Sequence, residues 1–126
     1  MQQQRTAADV LHEAADLLDR RGWCKGKASD EHGRLCVIGA IYTAATGGAY
    51  GGLKGEPDTR AGQAAAACVN EYAERRLRHQ GLEAPGGTGG LLLAAGPFWN
   101  DHVCRDGSEA ADLLRACAAE VEAVNR

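Results

Sequence analysis

The fold turns on one stretch, Leu35-Cys36-Val37-Ile38-Gly39-Ala40-Ile41-Tyr42. It is apolar on every side, so periodicity alone does not separate a buried helix from a central strand. Its continuation through Thr43-Ala44-Ala45 lengthens the run to about three helical turns and favours a helix, which Gly47-Gly48 then ends. Composition points the same way. Only 5% of the 126 residues are aromatic, so the core must come mainly from Leu, Val, Ala and Cys, which suits closely packed helices better than a Val/Ile-rich sheet. Gly39 inside such a helix costs about 1 kcal/mol relative to Ala, which implies a close approach by another backbone.

Upstream, Thr6 is a natural N-cap with Asp9 three residues on, a capping-box arrangement with the shorter acid. Val10, Leu11, Ala14, Leu17 and Leu18 follow the spacing of one buried helix face. Arg20 and Arg21 suit the negative end of the dipole, and Gly22 supplies a stop. The segment from Trp23 to Gly33 is polar and turn-rich.

Downstream, Asp58 or Thr59 can cap a long helix whose apolar stripe is Ala61, Ala64, Ala65, Cys68, Val69, Tyr72, Ala73 and Leu77. Glu71–Arg75 and Glu74–Arg78 are spaced for i, i+4 ion pairs on its outer side, and Gly81 closes it. The glycine-rich run from Ala84 to Gly90 reads as a mobile loop. A short apolar turn or strand, Leu91–Ala95, follows it. After Phe98-Trp99-Asn100-Asp101-His102-Val103-Cys104, Asp106 or Ser108 caps a final helix with the stripe Ala110, Leu113, Leu114, Cys117, Val121 and Val124. The expected fold class is therefore mainly α: one domain, residues 1–126, of about four helices with a glycine-rich loop.

Charge and cysteine content narrow the function classes. The net charge of −3 gives no global basic field for nucleic acid, and no helix-turn-helix signal is present. No apolar run approaches the roughly 20 residues that cross a bilayer, and the start lacks the apolar core of a secretory signal. Five cysteines, an odd number, then read as reduced thiols of a cytoplasmic protein. Expected partners are a small molecule or a protein, with no nucleic acid and no membrane, and a homodimer stays open.

Candidate chemistry lies in two places. Cys36, in the first turn of its helix, would have its thiol activated by the N-terminal dipole. His102 could then serve as base, with Asp101 or Asn100 as orienter, in acyl or peptidyl transfer or hydrolysis. The plainer reading makes Cys36 a small core residue. Trp23, Lys25, Trp99 and Asn100 could instead line a ligand pocket, or the two indoles could anchor loops to the helical core. Cys24, His32, Cys36, His102 and Cys104 are metal-capable types, but their spacings lack paired C-x-x-C clusters, so no metal is assigned. The glycine-rich run meets no phosphate-binding pattern, and no cofactor is implied. Cys68 and Cys117 fall on apolar stripes as core residues, and His12 and His79 on charged faces.

Gly22-Trp23-x-x-Gly26, Cys36-x-x-Gly39-Ala40 and Trp99-Asn100-Asp101, in this order before a final amphipathic helix, resemble an uncharacterised family of small actinobacterial and actinophage proteins. Lys25 stands where members often carry Gln, and Gly86–Gly90 is a local elaboration. The resemblance implies a common fold to which these positions belong. It supplies no activity. The leading reading is a small binding or accessory protein; the alternative is a small cysteine-dependent enzyme.

Overall fold

The computed structural model describes residues 6–26, 29–46, 60–81, 99–101 and 103–124. Helix α1 spans Ala7–Arg21, and both arms of its capping box form: Asp9 N–H donates to Thr6 Oγ1, and Thr6 N–H donates to Asp9 Oδ2. Its apolar face, Val10, Leu11, Ala14, Leu17 and Leu18, is buried, with Ala8 and Ala15 beside it. Gly22 ends it at φ +93°, a backbone angle that L side chains rarely adopt.

Helix α2 spans Val37–Ala45, which settles the apolar stretch as helix rather than strand. It starts later than the sequence pattern suggests. Leu35 sits in an isolated bridge, and Cys36 is the N-cap, extended at φ −87° and ψ 176°, its Sγ accepting the Gly39 N–H at 3.3 Å. The thiol takes the place that a Ser hydroxyl usually fills. Every residue from Val37 to Ala44 is buried, as a helix apolar all round requires.

Helix α3 spans Arg60–His79, and its expected cap, Asp58 or Thr59, lies outside the described residues. Its inward face is rotated from the expected stripe. Gly62, Ala66 and Asn70 are inside with Ala65, Val69, Ala73 and Leu77, while Ala64 is exposed and Cys68 and Tyr72 are half-buried. Glu74 pairs with Arg78 as the spacing suggests. Arg75 pairs instead with Glu120 of the last helix at 2.7 Å.

Helix α4 spans Gly107–Val124, preceded by Asp106, whose Oδ1 accepts the Glu109 N–H at 2.9 Å. Ala110, Leu113, Leu114 and Cys117 are buried as expected, joined by Ala111 and Ala118. The stripe stops short of its predicted end: Val121 is half-buried and Val124 is 83% exposed.

Among the described residues, helices α1 to α4 share one core. α1 makes its broadest contact with α4 and its next broadest with α2, so α1 is the central element. Arg115 of α4 ties the outer α1–α4 seam through Asp16 at 3.2 Å and Asp19 at 2.5 Å. Among the described residues, extended pairing is confined to two isolated bridges, and no helix is long and apolar enough to cross a membrane. The glycine-rich run, Leu91–Ala95 and His102 lie outside the described residues.

Candidate functional site

The polar segment after α1 returns on itself before α2. Cys24 N–H donates to Leu35 C=O and Leu35 N–H to Gly22 C=O, both at 3.0 Å, which sets Trp23 beside Leu35. Asp30 holds the tip of this excursion. Its Oδ1 accepts the His32 and Arg34 N–H groups, and its Oδ2 accepts Arg34 Nε at 2.6 Å. Burial works to raise the Asp30 pKa, but these donors and the Arg34 charge together bring it below its ordinary value.

Trp99, Asn100 and Asp101 occupy one helical turn that lands against this excursion. Asn100 is wholly buried, and its amide is fully used. Oδ1 accepts the Trp23 indole N–H at 2.8 Å and the Val37 N–H at 2.9 Å. Nδ2 donates to Cys24 C=O at 3.2 Å and to Asp101 Oδ1 at 2.9 Å. Two lone pairs and two N–H groups are the whole capacity of a carboxamide. Asp101 Oδ1 also accepts the Gly26 N–H at 2.9 Å, with Gly26 at φ +81°. The Lys25 ammonium lies 5.4 Å from the centre of the Trp23 ring, a cation–π distance.

The two polar segments therefore converge at the start of α2. The same junction gathers Trp23, Lys25, Asn100 and Asp101 beside the Cys36 cap; His102 lies outside the described residues. Sequence reasoning had each residue type but not the arrangement, in which Asn100 joins two segments, Trp23–Cys24 and the start of α2, that are 63 to 77 residues away in the chain.

Electrostatics at Cys36 run opposite to the expected activation. Burial pushes its thiol up to about 11, outweighing the Gly39 and Ile38 N–H groups that act to lower it. Burial likewise lifts Cys104 to about 11 and Cys117 to about 12. The Cys24 thiol faces the Arg34 carbonyl at 3.4 Å, and the Cys104 thiol faces that of Asp106 at 3.1 Å. Among the described residues, no three of the His, Cys, Asp and Glu side chains gather in a group that could hold a metal ion.

Trp99 lies on the side of α3 and α4. It is 2% exposed and lies at the bottom of a groove of about 330 Å³ between α3 and α4, lined by Tyr72, Arg76, Glu109, Asp112, Leu113 and Ala116. Two other hollows, one along Glu71, Glu74, Arg75 and Arg78 and one along Glu13, Asp16, Asp19 and Arg20, are lined among the described residues by charged side chains of single helix faces.

Fold and site together define a helical domain whose connecting segments are tied by one buried carboxamide, with a groove floored by an indole on the adjacent side. Residues 2–120 match the model of DUF6197, a family of unknown function, and the chain belongs to that family. Neither the curated proteins nor the solved structures give a match.

Proposed function

We propose that this chain is a small binding protein whose ligand, a small molecule, sits in the α3–α4 groove over Trp99. The observation that carries the reading is the groove itself. At about 330 Å³ it is of the size that small ligands occupy, and its lining combines the Trp99 indole, Leu113 and Ala116 with four polar side chains, Tyr72, Arg76, Glu109 and Asp112.

Under this reading Asn100, Asp101, Trp23 and Lys25 are positioning residues. Asn100 has no hydrogen-bonding capacity left to offer a ligand, and its bonds set the turn that places Trp99 beneath the groove. The raised Cys36 thiol and its capping role favour binding over thiol catalysis, because the nucleophile would be held as the thiol at neutral pH.

The two indole N–H signals in a nitrogen–proton NMR spectrum test the proposal. A panel of small aromatic and polar fragments is expected to contain binders that move the Trp99 signal while leaving that of Trp23 in place. Binders that move Trp23 alone, or the absence of any binder at millimolar concentration, would overturn it.

A further inference from the structure

The charges on the walls of the groove say what class of molecule it takes. Arg76 of α3 stands on one wall and Asp112 of α4 on the other. Arg76 is held in place by Tyr72, donating to its hydroxyl at 3.2 Å with the guanidinium carbon 5.7 Å from the ring centre. Neighbouring groups with similar charges are already spent: Arg75 on Glu120, and Glu109 on Arg105 through both oxygens. Among the described residues, neither Arg76 nor Asp112 has an ion-pair partner. The groove thus presents a cation and an anion on opposite helices, each without an ion-pair partner among the described residues, beside the apolar groups of Trp99, Leu113 and Ala116.

From this juxtaposition we infer that the groove binds a zwitterionic, amino-acid-like molecule with an apolar or aromatic body, its carboxylate on Arg76 and its ammonium on Asp112. The inference rests on the groove being the binding site. A guanidinium offers the planar fork that matches a carboxylate, so Arg rather than Lys suits the anionic end. An exposed carboxylate suits the ammonium, and an apolar body between them fits against Ala116 and the small open part of the Trp99 indole. A ligand bearing one charge leaves the opposite wall without a partner. An uncharged ligand leaves both.

Calorimetry on the full chain with four probes tests it: L-phenylalanine, N-acetyl-L-phenylalanine, L-phenylalaninamide and N-acetyl-L-phenylalaninamide. The expected result is saturable binding of L-phenylalanine, at least tenfold weaker binding of the two singly capped forms, and the weakest binding for the doubly capped one. Arg76→Gln and Asp112→Asn are each expected to weaken L-phenylalanine at least tenfold without changing the melting temperature, since both side chains are exposed. If the doubly capped form binds as tightly as L-phenylalanine and moves the Trp99 signal, the charge assignment falls while the groove stands as the site. If none of the four binds up to about ten millimolar, the zwitterion assignment falls. The fragment screen then decides separately whether the groove is a site.

Discussion

Replacing Asn100 with Ala removes four hydrogen bonds at once, and the structure sets the consequence. Val37 N–H and Cys24 C=O lose the carboxamide as partner inside a buried junction, whereas Asp101 Oδ1 keeps the Gly26 N–H and the half-buried Trp23 indole can turn toward water. The Val37 N–H left without its partner costs about 1–3 kcal/mol and the lost bond to Cys24 C=O about 1 kcal/mol, which puts the loss at about 2–4 kcal/mol. That is a large part of the roughly 5–15 kcal/mol by which domains are stable, and it corresponds to a fall in melting temperature of about 10–20 °C for a chain of this size. Chemical denaturation followed by helical circular dichroism measures it. A loss below about 1 kcal/mol, the size of an ordinary exposed cap, would refute the reasoning.

Asn100→Asp sharpens the same test. The introduced carboxyl faces Cys24 C=O and Asp101 where the amide had donated, so burial and like charge raise its pKa in the folded state. A raised folded pKa gives stability that is present below the unfolded value of about 4 and lost as pH rises. Asp30 has the opposite sign, its lowered pKa contributing stability that is lost as pH falls. Asn100→Asp is therefore expected to recover stability relative to the parent as pH falls from 7 to 5.

Other outcomes follow from the thiols and the turns. Cys36, Cys104 and Cys117, raised to about 11, 11 and 12, are expected to resist iodoacetamide at pH 7, with half-buried Cys68 modified first; rapid native alkylation of Cys36 would contradict the burial account. Because those pKa values lie above the ordinary thiol value of 9.0, stability present below pH 9 is lost as pH rises toward 11, by about 1–3 kcal/mol per thiol, in an alkaline denaturation series. Cys36→Ser keeps an acceptor for Gly39 N–H and is expected to stay within about 1 kcal/mol of the parent, while Cys36→Ala loses the cap and about 1 kcal/mol more. Gly26→Ala meets open space at φ +81° and is expected to cost about 1–2 kcal/mol in the same denaturation assay, from backbone strain alone.

How much was legible in the sequence depended on how local the determining interaction was. The capping box of α1 closes within three residues, so Thr6, Asp9 and Gly22 announced both its ends. The start of α2 was displaced because a thiol is a rare cap and Leu35 was drawn into a bridge with Trp23. On α3 the inward face was rotated because alanine lies on both sides of that helix and gives periodicity little contrast; only packing reveals that Ala66 and Asn70 face in and Ala64 out. At the end of α4 apolar spacing outran the core, which left Val124 in solvent. The residues of the polar junction were recognisable as unusual in composition. Their convergence was not, because Asn100 finds its partners 63 to 77 residues away and no local rule encodes that distance. The α3–α4 groove was missed for the same reason, although Tyr72 and Arg76 at i, i+4 on an outer helix face were a readable signal.

The central claim is that Asn100 ties the polar segments to the start of α2 and thereby sets Trp99 beneath the groove. Hydrogen exchange of the Val37 amide tests it most directly, since that N–H is bonded to Asn100 and to no residue of its own helix. The account predicts that Val37 exchanges as slowly as the amides at the centre of α1, at the rate of global unfolding. Exchange at the rate of a freely exposed amide, with the α1 centre still protected, would contradict it.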